Sequence, residues 1–304
     1  MSGESIRIRH PRRTSSDAVA GWTFLSPWII GFVFFSGLPI FFSFLLSLTR
    51  WNMLGDPQFV GLENYQNLLS GDSELLRTLQ VTFVFTIINV AVTIAMSLLL
   101  AVLLNLNVRF TPVFQFFYYV PTIMPSVVMT SAMILIFNSQ LGIVNYIMQS
   151  LGVASPPNWT GSSTLVWVVV GVASVYTFAT GQAMLVFSAA LKDVPGELYE
   201  AASLDGANSW NQFWRITIPA ISPMLLFNTV VATVNSFNGS FALLFPLTGG
   251  GPGDATKVIS LLIYEKAFRT FSMGEASALA VVLFVIVAAI TAVQFRLSDN
   301  SAAE

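Results

Sequence analysis

From Phe110 to Leu191 the chain carries no Asp, Glu, Lys or Arg. Soluble domains place roughly a quarter of their residues in those four types, mostly on a water-facing surface, and no such surface can be built from this run. Four further stretches are also free of charge: Ala18 to Thr49, Thr78 to Val108, Ile216 to Gly253 and Ala276 to Phe295. A helix needs about 20 apolar residues to cross the hydrocarbon core of a bilayer, and each stretch is long enough. Over all 304 residues, 55% are hydrophobic and only 9% charged, with a mean hydropathy of +0.73. The solvent for most of this chain is lipid, and the expected fold is an all-α integral membrane bundle.

The run from Phe110 to Leu191 is too long for one crossing. Its middle, Asn138 to Ser163, is rich in Asn, Gln, Ser, Gly and Pro, including Ser155-Pro156-Pro157-Asn158, which favour turns over lipid-facing helix. Dividing it there predicts six transmembrane helices at about 21–48, 79–106, 113–137, 164–190, 222–246 and 274–295. They form one domain over 18–298, between an N-terminal tail at 1–17 and a C-terminal tail at 299–304. An even number of spans puts both termini on one side. Arg7, Arg9, Arg12, Arg13, Arg109, Lys192, Arg215 and Arg296 share one side, against Arg50, Arg77, Lys257, Lys266 and Arg269 on the other. The positive-inside rule therefore predicts cytoplasmic N and C termini. The first apolar run is too long for a signal-peptide core and is expected to stay as a helix.

Several function classes fall away. A net charge of −2 from scattered residues provides no basic field for nucleic acid. The absence of cysteine removes thiolate nucleophiles and cysteine metal sites. The single histidine, His10, lies in the charged tail and reads as a solvated residue, so no catalytic group and no metal site is expected. A membrane-embedded enzyme would need acids or histidines within its spans, and none occurs there.

The segment 192–221 is the informative cytoplasmic loop. Pro195 and Gly196 open a helix with Glu197 and Glu200 in its first turns, good helix formers follow, and Gly206 is a natural stop. A second short helix is expected from Ser209 to Ile216, ending at Pro219. The first helix has the small residues Ala201 and Ala202 beside the acid Glu200, which suits close approach of a partner and one charged anchor, most naturally for an arginine.

The spacing in full, Glu200-Ala201-Ala202, three residues, Gly206, nine residues, then Ile216-Thr217-Ile218-Pro219, resembles the EAA loop of the membrane subunits of bacterial ABC importers. Ile218 stands where leucine is more usual. Phe59-Val60-Gly61-Leu62-Glu63-Asn64-Tyr65, Tyr119-Val120-Pro121 and Thr248-Gly249-Gly250-Gly251-Pro252-Gly253 resemble the carbohydrate-transport, maltose-permease branch. The resemblance spans essentially 18–298 and implies the type I importer permease fold, in a bacterial cytoplasmic membrane. It further implies that Glu200, Ala201, Ala202, Leu204, Gly206 and Pro219 belong to the surface that couples to an ATPase. The implied partners are two ATP-binding-cassette ATPases, a second and non-identical permease subunit, the lipid bilayer and an extracytoplasmic binding protein that delivers a sugar. No phosphate-binding loop ending in Gly-Lys-Ser or Gly-Lys-Thr occurs, so this chain is expected to bind no cofactor, with ATP and Mg on the partner ATPases.

Polar residues within spans are unfavourable against lipid and tend to face a cavity or another helix. Asn228, Asn235 and Asn238 fall on one stripe of the fifth helix, with Phe237, Ser240 and Phe241 beside it. Asn235 lies roughly 20 Å from that helix's cytoplasmic end. Tyr176 and Gln182 of the fourth helix reach similar depth but point about 120° apart. Amides beside aromatic faces suit a sugar's hydroxyls and C–H surface, and maltose-type permeases use this part of the two helices for their cargo. Hydrogen bonding between neighbouring helices is the alternative for each asparagine. A stand-alone secondary transporter of small polar solutes is the competing function. Such a carrier usually needs a titratable group in a span, and the nearest here is Glu275 at the edge of the sixth.

Overall fold

Proline decides where these apolar runs stay straight, because it lacks an N–H and its ring collides with the carbonyl four residues earlier. The computed structural model describes residues 15–70, 73–106, 111–177 and 180–301. The basic tail with His10, the short loop at Arg109 and residues 302–304 lie outside the described residues.

Helix α1 (Ser15–Phe32) runs through a π turn (Val33–Gly37) into α2 (Leu38–Ser47). The π turn stands just before Pro39: Leu38 N–H bonds back to Val33 O, five residues earlier, and the widened turn makes room for the ring. Strands β1 (Thr49–Arg50) and β2 (Gln58–Phe59) pair antiparallel, with Thr49 opposite Phe59. Helix α3 (Glu63–Ser70) is pinned beneath α2 by Asn64, whose amide donates to Ser47 O at 2.8 Å and Thr49 O at 2.9 Å. Helix α4 (Ser73–Asn105) follows, then α5 (Thr111–Ile123) and α6 (Ser126–Ile136). Next come α7 (Ile143–Ser150), α8 (Val166–Thr177) and α9 (Thr180–Lys192). A hairpin of short helices, α10 (Gly196–Leu204), α11 (Ser209–Gln212) and α12 (Ile218–Ala220), leads into α13 (Ser222–Thr248), and α14 (Ile259–Tyr264) and α15 (Met273–Ser301) close the chain.

Among the described residues four helical stretches are long and apolar enough to cross a membrane, and two bent pairs, α5–α6 and α8–α9, raise the number to as many as six. The third run, expected as one helix over 113–137, is broken by 102° between α5 and α6. Pro121 and Pro125 are the reason: Pro125 takes an extended conformation (ψ 135°) and can donate no bond back into α5. The second hairpin helix does not end at Ile216. A π turn over Phe213–Thr217 absorbs Pro219 as the turn before Pro39 does, and helix continues to Ala220. Helix α14 begins at Ile259; just before it the Thr256 hydroxyl is turned inward, donating to Gly251 O at 2.8 Å and sharing a hydrogen bond with Thr248 Oγ1 at 2.7 Å.

The bundle is organised around α4, which packs along α9 and α13. Toward the hairpin end its Leu100, Ala101 and Leu104 meet Ala183, Met184 and Phe187 of α9. Toward the other end Phe85 joins Val169, Val170, Leu243 and Leu244. Helices α5 and α9 cross closely at Gly181, where a Cβ would stand 2.6 Å from Tyr118 O, so only glycine fits. α2 lies on α15, whereas no residue of Val19–Phe32 is buried within the chain.

Candidate functional site

The loop singled out by sequence is a rigid hairpin. α10 ends in a Schellman turn: Ala207 N–H reaches Ala202 O at 2.9 Å and Gly206 N–H reaches Ser203 O at 3.1 Å, with Gly206 left-handed at φ +82°. Asn208 then caps α11, accepting from Asn211 N–H at 2.9 Å. Gln212 stitches the arms together by donating to Ser203 Oγ at 2.8 Å and Ala207 O at 3.3 Å, and the Tyr199 and Thr217 hydroxyls meet at 2.9 Å.

These bonds use the inward side of α10. The opposite side carries Glu197, Glu200, Ala201 and Leu204 at steps of three, one and three residues, a single helix face. All four are exposed, Leu204 at 90%. Among the described residues no Lys or Arg pairs with Glu200. Ala202 is half-buried toward the hairpin interior, and Pro219 is exposed on the second arm. Glu197 belongs to the same face although sequence reasoning did not single it out; its place three residues before Glu200 is the signal that could have done so. Trp210, Phe213 and Trp214 form an aromatic cluster on the second arm, the two indoles 5.7 Å apart. Such rings suit a membrane–water boundary.

Of the residues expected on a substrate path, the fold brings three together. Gln182, Asn228 and Asn235 line one cleft of about 110 Å³, between α4, α9 and α13. Asn228 is committed in part, donating to Met224 O at 3.0 Å. Thr93 of α4 lines the same cleft, its buried hydroxyl without a partner among the described residues. Tyr176 and Asn238 are exposed away from the cleft. Phe237 and Ser240 face the chain's own interior. Phe237 is 1% exposed and meets Phe83 edge-on at 6.3 Å, while Ser240 shares a hydrogen bond with Ser260 at 2.9 Å. Phe241 stacks on Phe245 at 5.0 Å and leans on Tyr264 at 5.1 Å.

Thr93 is one member of a stripe that sequence reasoning missed: Thr78, Thr82, Thr86, Asn89, Thr93 and Ser97, all buried on one face of α4. Its steps of three and four residues were the available signal. Asn89 donates to Ser236 of α13, Gln294 of α15 donates to Thr233 at 2.9 Å, and Ile259 N–H donates to Thr82 at 2.9 Å. Polar bonds thus join helices that apolar contact alone would leave free to slide in lipid.

At the end opposite the hairpin, charges are paired within the chain. Lys257, its side chain 12% exposed, bridges Glu74 of α4 at 2.8 Å and Glu265 at 2.6 Å, and Arg269 joins Glu265 at 3.1 Å. Burial by itself lowers the Lys257 pKa, but the two carboxylates together outweigh it and hold the ammonium above its ordinary value.

With this geometry in place, the comparisons with known proteins agree in kind. Residues 93–300 match the family described as binding-protein-dependent transport system inner membrane component. The probable ABC transporter permease protein YesP of Bacillus subtilis (strain 168) is 34% identical over 294 residues, 96% of this chain and 94% of that protein. The sn-glycerol-3-phosphate transport system permease protein UgpA of Agrobacterium fabrum is 33% identical over 280 residues, 91% of this chain and 93% of that protein. A bacterial alginate ABC transporter, solved in complex with an alginate pentasaccharide-bound periplasmic protein, contains a chain that superposes with a TM-score of 0.81. That chain is 20% identical, and the match covers 93% of the present chain and 95% of its own length.

Proposed function

Because the chain belongs to the family of binding-protein-dependent transport system inner membrane components, we propose that it passes a neutral sugar or oligosaccharide across a bacterial cytoplasmic membrane by alternating access. The hairpin end faces the cytoplasm with both termini. There the Glu197-Glu200-Ala201-Leu204 face of α10 sits in a cleft of an ATP-binding-cassette ATPase, which supplies all ATP and Mg chemistry. Two such ATPases and a second, non-identical permease complete the membrane assembly, and the opposite end receives a sugar-loaded binding protein.

The observation that carries this reading is the face of α10 itself. The hairpin holds its own shape through side-chain hydrogen bonds of Tyr199, Ser203, Asn208 and Gln212, while among the described residues Glu200 has no ion-pair partner and Leu204 is 90% exposed. A rigid, unsatisfied face fits a lever that transmits motion, since a loose loop would absorb the displacement. Cargo is read from the spans. Thr93, Gln182, Asn228 and Asn235 present amides and a hydroxyl, and none of the residues lining their cleft is charged, which favours a polyol surface over a phosphate dianion.

Glu200→Ala tests the reading. The variant is expected to reach the membrane in normal amount, yet lose uptake by one to three orders of magnitude and release the ATPase during purification, as loss of one partner of a buried interfacial charge pair costs about 2–5 kcal/mol. Normal uptake with normal ATPase recovery would refute the assignment of this face.

A further inference from the structure

The segment between α6 and α8 is a built element with no charge in it. Asn145, buried in α7, donates to Ser139 O at 3.0 Å and to Pro157 O at 3.2 Å, and accepts from Trp159 Nε1 at 2.6 Å. The Trp159 ring packs edge-on against Phe137, at the end of α6, with centroids 5.6 Å apart. These contacts fix α7 beside the end of a membrane span. Its outward side carries a stripe at four-residue steps, Ile143, Ile147 and Leu151, all exposed, the last at 79%. Leu141 just before it is exposed as well. Tyr146 and Ser150 flank that stripe, while Gln149, also exposed, lies on the far side of the helix from Ile147.

We propose that α7 is an interfacial helix that lies along the bilayer surface at this end of the bundle, with Ile143, Ile147 and Leu151 inserted among lipid acyl chains. Two observations select lipid over a protein partner. The neighbouring span α6 also exposes apolar side chains, at Val127, Val128 and Leu135, so both span and loop present apolar surface outside the chain's own core. The whole segment from Phe110 to Leu191 also lacks any charge with which to steer or orient a water-borne partner, whereas a tyrosine beside an aliphatic stripe suits the headgroup boundary. The helix would then act as an outrigger that fixes the depth of α6 and α8 while the rest of the bundle moves.

The absence of cysteine in the chain makes a direct test available. Single cysteines at Ile147 and Gln149, about 160° apart around the helix, are labelled with a nitroxide. The chain, with whatever subunits co-purify, is placed in phosphatidylcholine–phosphatidylglycerol vesicles, with the unsubstituted chain as blank. Collisions with oxygen, which concentrates in lipid, are compared with collisions with a water-soluble nickel chelate. The oxygen-to-nickel ratio is expected to be several-fold higher at Ile147 than at Gln149, and Leu151→Cys, beyond the helix, should follow Ile147. Equal access of the nickel chelate at Ile147 and Gln149 would place the helix in water and overturn the proposal. Exclusion of both reagents at Ile147 would mean a protein covers the stripe, and would overturn it equally.

Discussion

The two ends of this bundle treat charge in opposite ways. At the loop end Lys257, Glu74, Glu265 and Arg269 satisfy one another within the chain, and the bridge ties α4 to the segment after α13. At the hairpin end Glu197 and Glu200 stand outward on a helix whose inner side is bonded through Tyr199 and Ser203 to Thr217 and Gln212 of the second arm. The first arrangement holds this chain's own helices together. The second is incomplete by design of its sequence, and under the proposed function another protein completes it.

The comparison makes stability and coupling separable. Lys257→Met should produce the largest loss of stability, about 2 kcal/mol, because two carboxylates are left facing each other and Glu74 is exposed enough to recover some hydration. Thermal unfolding of the detergent-purified protein measures it. Glu200→Ala, by contrast, should leave the midpoint within about 0.5 kcal/mol of wild type, as expected for a surface change. Similar losses in both variants would erase the distinction between the two ends.

A smaller effect is expected at Gly206. Nothing lies within 4 Å of a Cβ built there, so Gly206→Ala meets no clash and incurs only the left-handed backbone cost, about 1 kcal/mol. Limited proteolysis should cut the hairpin faster, while unfolding of the bundle scarcely changes.

The smallest effect is in pH. The folded-state pKa of Lys257 lies above its ordinary value of 10.5, so the bridge contributes fully below that value and is lost only as pH rises through the raised one. Its contribution should therefore be flat across roughly pH 6 to 9. A fall of stability within that range that disappears in Lys257→Met would contradict the assignment.

Much of the fold was legible because lipid imposes a simple rule: a backbone without water must close its own hydrogen bonds, so long charge-free runs become helices. The hairpin was legible for a local reason, since Gly206 carries its turn chemistry in its own residue type, while the Asn208 cap came from the structure. The broken third span was harder. Pro39, Pro121, Pro125 and Pro219 look alike in sequence, yet two are absorbed by π turns and the other two accompany a 102° bend. The difference lies in whether the surrounding helix can add one residue to a turn and still pack.

By itself, the sequence determined that this chain is built mostly of long apolar helices suited to a membrane, and which short helix carries an acid beside two alanines. Only the tertiary structure decided what each polar side chain faces. Asn235 and Gln182 line a cleft with Thr93, a residue some 90 positions earlier than Gln182 along the chain, while Phe237 and Ser240, two and five residues after Asn235, point into the core. Helical periodicity gives the angle between side chains on one helix. Which of those angles opens on a cavity depends on how neighbouring helices pack around it, and that is fixed by contacts between residues far apart in sequence.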